Sequence, residues 1–214
     1  MRVCAVIPVK NLARGKSRLA PLLSVEERIN LSIAMLRDML ECLCSSPYIN
    51  TIVIVSSDLL VKDIAEEYDA VLVVEDKDEY GVNNAVTLAD SITKDYDASI
   101  VLPHDLPLIG VIDLAMLYNA MLHNTRCVII TPSSRLDGTN VLLRRPPNII
   151  KTHYDEDSYI LHVREALASN ASVKILLSRR LMFDVDEPDD LYELLKSNHE
   201  CNTTMYLSKI LNVK

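Results

Sequence analysis

Residues 3–19, VCAVIPVKNLARGKSRL, pass from an uninterrupted apolar run into a strongly basic loop. The run at 2–9 predicts a buried β-strand, because a strand covered on both faces is apolar throughout. The loop that follows carries four cations: Lys10, Arg14, Lys16 and Arg18. We therefore expect an anion to bind where this strand ends.

The same loop contains Gly15-Lys16-Ser17, which matches the end of a phosphate-binding P-loop. A P-loop needs a second glycine five positions earlier, because its backbone amides must wrap closely around the phosphates. That position is occupied by Lys10. A P-loop kinase is therefore excluded, and we expect side chains more than backbone amides to hold the anion.

Beyond the loop, apolar segments alternate between strand and helix periodicity. Ser24 and Glu27 form a capping box that opens a long helix with Ile29, Ile33, Leu36, Leu40 and Leu43 on its apolar face. Further strands are predicted at 51–56, 70–74, 99–103, 126–131, 173–177 and 181–185. Further helices are predicted at 59–67, 81–94, 111–123, 158–169 and after Asp186, and the Gly138 turn precedes another strand. This alternation predicts an α/β protein whose mostly parallel, doubly wound sheet is covered by helices on both faces.

Composition limits the class of protein. A chain of 214 residues, 49% hydrophobic and 24% charged, is typical of one sizeable soluble domain. Its longest apolar runs have strand length and its amino terminus lacks a signal-peptide pattern, so we expect a cytoplasmic protein with no membrane association. A net charge of −8 argues against a nucleic-acid-binding surface. Five scattered cysteines form neither a disulfide framework nor a zinc clip.

Carboxylates follow two other predicted strands. Asp105 follows SIVLP, and Asp184 and Asp186 lie in LMFDVD. Ligands of doubly wound sheets bind beyond the carboxyl ends of the strands, where the strand order reverses. Three carboxylates that face a basic loop suit Mg²⁺ bound together with a polyphosphate. Plainer interpretations are a turn cap for Asp105, a helix N-cap for Asp186, a solvated face for the basic loop and an ordinary loop position for His104.

Four segments together resemble the 2-phospho-L-lactate guanylyltransferases, which help to build the deazaflavin coenzyme F420. The segments are AVIPVKNLARGKSRLAPLLSVEER (5–28), LPHDLPLI (102–109), DGTNVLLRRPP (137–147) and FDVDEPDDL (183–191). The resemblance implies a single three-layer α/β/α nucleotidyltransferase domain over residues 1–214, with a nucleotide-diphospho-sugar transferase (GT-A-like) fold and a mixed, mostly parallel sheet containing one antiparallel strand. It implies conversion of GTP and 2-phospho-L-lactate to lactyl-2-diphospho-5'-guanosine and pyrophosphate. Some members use phosphoenolpyruvate as the acceptor.

The resemblance also implies roles for individual residues. The nucleotide would be bound by Pro8, Val9, Lys10, Arg14, Lys16, Arg18, Gly81 and Asn83, with Ala85 close by. Mg²⁺ would be held by Asp105, Asp184 and Asp186. The acceptor, a small phosphorylated carboxylic acid, would contact Thr139, Asn140 and Ser158. Lys16 and Asp105 are the predicted catalytic residues.

One segment departs from the family pattern. Where the family commonly has a glycine-bearing GxGS turn, this chain has Asp155-Glu156-Asp157-Ser158, so Ser158 alone matches. The change removes close backbone approach and adds negative charge beside an anionic acceptor, which predicts altered acceptor binding.

Other functions and assembly states fit parts of the sequence. Same-fold alternatives are a sugar-phosphate nucleotidyltransferase, which usually has a glycine-rich first loop, and a glycosyltransferase. An alternative of another class is a non-catalytic nucleotide-binding regulator. The apolar segment TTMYLSKILNV (203–213) would dock either on a partner, giving a homodimer, or on the chain's own core.

Overall fold

The strands and helices follow one another in nearly the predicted order. The computed structural model describes residues 1–76, 81–155 and 157–211. Within these residues the strands are β1 (Val3–Val9), β2 (Thr51–Ser56), β3 (Val71–Val74), β4 (Ala98–Val101), β5 (Cys127–Pro132), β6 (Thr139–Arg145) and β7 (Ser172–Ile175). The helices are α1 (Val25–Cys44), α2 (Leu60–Glu67), α3 (Val82–Thr93), α4 (Val111–Met121), α5 (Ser158–Ala168), α6 (Arg179–Met182), α7 (Pro188–Lys196) and α8 (Asn202–Ile210).

The strands of the described residues form one seven-stranded sheet in the order β3-β2-β1-β4-β6-β5-β7. All neighbouring pairs are parallel except those made by β6, which runs antiparallel to both β4 and β5. The mixed, mostly parallel sheet with one reversed strand is thereby confirmed. The strand order reverses between β1 and β4, so the loops that follow these two strands meet at the switch point.

Helices cover both faces of the sheet, as predicted. Alternate residues of β1 point to opposite faces. Ile7 packs in a core cluster that includes residues of α1, α2 and α4, whereas Val6 packs in a second cluster with residues of α3 and α5. The result is a three-layer α/β/α arrangement in which β1 is buried along its whole length.

The predicted capping box of α1 is present. The backbone N–H of Glu27 donates to the Ser24 hydroxyl at 3.3 Å, and the N–H of Ser24 donates to the Glu27 carboxylate at 2.8 Å. These bonds satisfy two N–H groups that the first turn of a helix otherwise leaves unpaired. A fixed start to α1 matters for the site, because Arg28 in its first turn holds the basic loop.

The strand predicted at 181–185 is wrong. Residues 179–182 form the short helix α6. The chain then continues without regular structure, and the Val185 N–H donates to the Asp105 carbonyl at 3.1 Å. Phe183 and Val185 alternate as in a strand, but they pack in a cluster with residues of α1, α7 and α8 instead of on the sheet. The edge of β5 is already occupied by β7.

The carboxyl-terminal segment docks on its own chain over the residues described. The N–H groups of Asn202 and Thr203 donate to the Asp38 carboxylate of α1 at 2.8 and 2.9 Å, and Leu207 is fully buried. Residues 212 and 213 of the predicted docking segment lie outside the described residues. None of the helices in the described ranges is long and apolar enough to cross a bilayer.

Candidate active site

The basic loop after β1 is held in place by two residues from elsewhere in the chain. It makes two short 3₁₀ turns, Leu12–Arg14 and Ser17–Leu19. The Leu12 N–H donates to the Asp58 carboxylate at 2.8 Å. The Arg28 guanidinium donates to the carbonyls of Gly15 at 3.3 Å and Lys16 at 3.4 Å. These contacts fix the backbone from which Lys16 projects.

Lys16 turns inward and joins two of the predicted metal ligands. Its backbone is left-handed (φ 50°), a conformation that costs about 1 kcal/mol or more in a residue with a Cβ. Its side chain is only 7% exposed; the ammonium donates to Asp105 and, at 2.8 Å, to Asp186. Burial lowers the Lys16 pKa, but the two carboxylates raise it by more, so the net shift is upward. Lys16 is therefore a buried, permanent cation.

The other three cations of the basic loop are exposed. Lys10 and Arg14 are exposed. The Arg18 side chain is 63% exposed and lies 3.8 Å from the Asp186 carboxylate. Of the four loop cations, Lys16 therefore hydrogen-bonds to the carboxylates of Asp105 and Asp186, whereas Arg18 makes a longer, exposed ion pair with Asp186.

Asp105, Asp184 and Asp186 are close enough to affect one another electrostatically. Burial raises the pKa of Asp105, but Lys16, His104 and hydrogen bonds together lower it by more, so the net shift is downward and Asp105 is ionised. Burial first, and then the charges of Asp105 and Asp186, raise the pKa of Asp184 to about 6. The Asn140 amide partly offsets this shift, since it donates to Asp184 at 3.2 Å. Mutual repulsion among the three carboxylates is therefore only partly neutralised by Lys16.

These carboxylates fit a hard divalent cation. Within residues 1–76, 81–155 and 157–211, no cluster of three His, Cys, Asp or Glu side chains already has the arrangement of a metal site. One oxygen of Asp105, Oδ1, is nevertheless buried and has no hydrogen-bond partner among the residues described. Magnesium usually takes one or two carboxylates and completes its shell with water and phosphate oxygens. An unpaired, ionised oxygen beside a second carboxylate suits that role.

Two clefts meet at the carboxylates. The first, of about 300 Å³, lies under the basic loop and is lined by Pro8, Lys10, Gly15, Lys16, Val82, His104, Asp105 and Asp186. The second, of about 230 Å³, is lined by residues that include Arg18, Thr139, Asn140, Tyr154, Asp155, Ser158, Asp105, Asp184 and Asp186. Asp105 and Asp186 thus line both clefts. A larger open groove of about 890 Å³ borders Arg179, Tyr192 and Lys196 but contains none of these carboxylates.

Other residues predicted to bind the nucleotide have varied positions. Pro8 lines the first cleft, while Val9 and Ala85 pack in the core. Gly81, with φ 145°, precedes α3 in a conformation that only glycine adopts readily. The side-chain amide of Asn83 bonds to other residues of the protein. Its oxygen accepts from the Tyr154 N–H at 2.8 Å, and its nitrogen donates to Asp155 at 3.0 Å. Asn83 therefore fixes the wall of the second cleft.

The acidic turn at 155–158 is partly accommodated by its neighbours. The Asp155 carboxylate accepts from Asn83. Asp157 adopts a left-handed backbone (φ 54°) at a position where the 2-phospho-L-lactate guanylyltransferases commonly have glycine. Ser158, only 3% exposed, lines the second cleft. Glu156 lies outside the described residues.

Two histidines at the clefts were not predicted as site residues. His104 lines the first cleft, and its Nε2 is buried without a partner among the residues described. Burial lowers the pKa of His104 to about 4, so its ring is neutral. His162 lies behind the second cleft, with Nδ1 2.9 Å from the Thr139 hydroxyl. The sequence signal was weak for both: His104 directly precedes Asp105, and His162 lies one helical turn after Ser158.

Comparison with known proteins identifies the family. The family model described as "Guanylyl transferase CofC like" matches residues 3–214. The chain belongs to this family. It is 30% identical over 211 residues to the 2-phospho-L-lactate guanylyltransferase of Methanothermobacter thermautotrophicus, covering 98% of this chain and 92% of that protein. It is 32% identical over 196 residues to the phosphoenolpyruvate guanylyltransferase of Rubrobacter xylanophilus, covering 91% of this chain and 94% of that protein.

A solved structure supports the fold independently. A protein from Desulfovibrio desulfuricans G20, assigned as a nucleotide-diphospho-sugar transferase, matches with a TM-score of 0.77 at 17% identity, covering 98% of this chain and 95% of that one. The predicted family and the nucleotide-diphospho-sugar transferase fold are therefore both confirmed. As a CofC-like guanylyl transferase, the protein is a nucleotidyltransferase enzyme.

Proposed function

We propose that this enzyme transfers GMP from GTP to the phosphate of 2-phospho-L-lactate or phosphoenolpyruvate and releases pyrophosphate, as a step in coenzyme F420 biosynthesis. One observation carries the proposal: the carboxylates of Asp105 and Asp186, bridged by the buried Lys16 ammonium, line both clefts at once. Two anionic substrates can therefore meet at one charged centre. The names of the related guanylyltransferases supply the identities of the nucleotide and the acceptors.

The first cleft suits the nucleotide. Lys10 and Lys16 lie along it, and His104 lines it next to Asp105. These groups supply positive charge and hydrogen bonds for a triphosphate. The carboxyl ends of β1 and β4, where this cleft opens, form the switch point at which such sheets bind ligands.

The second cleft suits the acceptor. Thr139, Asn140 and Ser158 line it with neutral polar groups, and Arg18 lines it with an exposed positive charge. A small phosphorylated carboxylic acid presents only hydrogen-bond acceptors, which suit the hydroxyls of Thr139 and Ser158 and the guanidinium of Arg18. Both N–H groups of Asn140 already donate, to the Met182 carbonyl and to Asp184. The acceptor phosphate would reach the nucleotide where the two clefts share Asp105 and Asp186.

The reaction needs positioning more than proton transfer. An oxygen of the acceptor phosphate forms a bond to the α-phosphorus of GTP, while the bond from that phosphorus to the departing pyrophosphate breaks. A phosphate monoester has a second pKa near ~6, so this oxygen is already ionised at neutral pH and no general base is assigned. Lys16 stabilises the charge that accumulates on pyrophosphate. Asp105, Asp184 and Asp186 would hold a divalent cation, Mg²⁺ in our proposal, which supplies further positive charge when bound.

The test is a matrix of pyrophosphate-release assays with Mg²⁺. Each of the four nucleoside triphosphates is offered with 2-phospho-L-lactate, with phosphoenolpyruvate or without acceptor, to the wild type and to Asp105→Asn. We expect release with GTP and one acceptor, and a large loss in the variant. Binding of GTP with no release in any combination, or a clear preference for another nucleotide, would contradict the proposal.

Cytoplasmic location and a homodimer stay predictions from the sequence. The docking of α8 on α1 accounts for part of the carboxyl-terminal apolar surface within a single chain. Sedimentation of the purified protein at micromolar concentration would measure the oligomeric state directly.

A further inference from the structure

His162 occupies an unusual position between the second cleft and the segment that forms its wall. It lies on α5 and is fully buried. Its Nδ1 is 2.9 Å from the Thr139 Oγ1, and its Nε2 is 2.9 Å from the backbone nitrogen of His153. Both ring nitrogens are therefore engaged, one toward a residue of the cleft and one toward the backbone.

The second of these contacts determines which ring nitrogen carries the proton. A backbone N–H can only donate, so Nε2 must accept and cannot be protonated. A neutral imidazole with an unprotonated Nε2 carries its hydrogen on Nδ1. Burial, and then the neighbouring His153 and Arg144, lower the pKa of His162 to about 3, which keeps the ring neutral at physiological pH.

The protonated Nδ1 in turn determines how the Thr139 hydroxyl is used. Because Nδ1–H donates, the Thr139 Oγ1 accepts, and the hydroxyl hydrogen is directed away from the ring. Thr139 lines the second cleft with Asn140 and Ser158. A threonine hydroxyl can normally donate or accept, but here the ring cannot accept from it, so the hydroxyl hydrogen stays available for another acceptor.

We propose that His162 is a positioning residue that holds the Thr139 hydroxyl as a hydrogen-bond donor for an anionic oxygen of the acceptor. The inference rests on the proposed function for the identity of that acceptor. Phosphate and ionised carboxylate groups only accept hydrogen bonds, so a hydroxyl fixed as a donor matches them without reorganisation on binding. A hydrogen bond to a charged group is commonly worth a factor of about ten or more in affinity.

The ring also supports the cleft wall, and a test must separate the two tasks. The Tyr154 ring meets the His162 ring edge-on with centroids 4.9 Å apart, and the His153 N–H depends on Nε2. Loss of this support would disturb the acceptor cleft through packing alone. Replacement of His162 by alanine would therefore report both effects together.

His162→Asn and His162→Gln form a matched pair for the separation. The asparagine amide lies near the position of Nδ1, so it keeps a donor for Thr139 and loses the acceptor for His153. The glutamine amide reaches the position of Nε2, so it can accept from His153 and loses the donor for Thr139. We expect His162→Gln to raise the acceptor KM about tenfold with little change in the GTP KM, and His162→Asn to stay within about threefold of wild type.

Variants of Thr139 provide a second, independent test. Thr139→Val, which removes the hydroxyl with little change of shape, should raise the acceptor KM as His162→Gln does, and Thr139→Ser, which keeps the hydroxyl, should raise it less. The Thr139→Val/His162→Gln double variant should bind the acceptor no worse than Thr139→Val, because both changes remove the same donor. Equal effects of the Asn and Gln variants, or additive effects in the double variant, would overturn the positioning role.

Nitrogen-15 NMR of the wild type tests the inference without any assay of turnover. Long-range correlations in the His162 ring should show a protonated Nδ1 and an unprotonated Nε2 at pH 7. A proton on Nε2 would overturn the inference even in an active enzyme. If no substrate pair reacts, the proposed function fails by itself. Calorimetric titration of 2-phospho-L-lactate would then decide the inference about His162. The inference stands if the affinity falls from wild type to His162→Gln, and it fails if the wild type does not bind.

Discussion

The Lys16 ammonium lies 2.8 Å from the Asp186 carboxylate and also donates to Asp105, so one buried cation ties the basic loop to both carboxylate-bearing segments. The left-handed backbone at Lys16 directs the side chain inward, and Arg28 holds the carbonyl of the same residue. A surface ion pair would contribute little to stability, but a pair shielded from water is costly to break. Lys16 should therefore matter both to the stability of the site and to catalysis.

Replacement of Lys16 by methionine should lower the free energy of unfolding by about 2–4 kcal/mol, because two carboxylates lose their partner in a partly buried site. The Lys16→Met/Asp105→Asn double variant should recover part of that loss, since Asp105, the more buried of the two carboxylates, is no longer charged. Urea denaturation of the three proteins measures the effect. An unchanged free energy of unfolding in Lys16→Met, or no recovery in the double variant, would contradict a stabilising buried ion pair.

Asp105→Asn should lose ~2–4 kcal/mol of transition-state stabilisation, or roughly 30- to 10³-fold in kcat/KM, comparable to the loss of one strong preorganised electrostatic contact. The matched control is Glu187→Gln, an exposed neighbour of Asp186 that pairs with Arg135 at 3.2 Å. The control should remain close to wild type. An Asp105→Asn enzyme within a few-fold of wild type would rule out Asp105 as a ligand of a catalytic metal.

Asp155→Asn should lower the acceptor KM roughly two- to fivefold. The change removes a negative charge from the wall of the second cleft, while the new amide can still bond to Asn83. Because Asp155 is exposed, the gain should shrink as salt is added. Steady-state kinetics at low and high salt measure both effects; an unchanged or higher KM would show that Asp155 does not repel the acceptor.

His162 should make the protein sensitive to acid. Its pKa falls from the usual 6.5 to about 3 in the folded protein, so below pH 6.5 the unfolded chain binds a proton that the folded protein excludes. Stability is therefore lost as the pH falls, by about 2 kcal/mol between pH 7 and 5 from this group. Urea midpoints at both pH values should show a smaller loss for His162→Asn than for wild type. Equal losses would show that the ring takes up a proton in the folded state.

Local signals in the sequence were sufficient for most of the fold. The apolar run at 2–9 is β1, and Ser24 with Glu27 does open α1, because strand burial and helix capping depend on residues close in sequence. The strand predicted at 181–185 failed for a tertiary reason. Alternating apolar residues suit a strand, but here they pack against α1, α7 and α8, and β7 occupies the sheet edge.

The sequence named several residues that the fold brings together, but it did not predict the hydrogen bonds among them and their neighbours. Motif resemblance pointed to Lys16, Asp105, Asp184 and Asp186, which the fold brings together from separate segments. The bond from Asn83 to Asp155 joins residues 72 positions apart, and that from His162 to Thr139 joins residues 23 apart. No local pattern specifies such pairs, so the supporting residues emerge only from the structure.

The central claim is that the acceptor attacks the α-phosphorus of GTP. The most direct measurement uses GTP labelled with ³²P at either the α or the γ position, in reactions with Mg²⁺ and the active acceptor, followed by separation of the products. We predict that α-label appears in the acceptor-linked product and γ-label in pyrophosphate. Transfer of γ-label to the acceptor with formation of GDP, or release of γ-label as inorganic phosphate alone, would contradict guanylyl transfer by this enzyme.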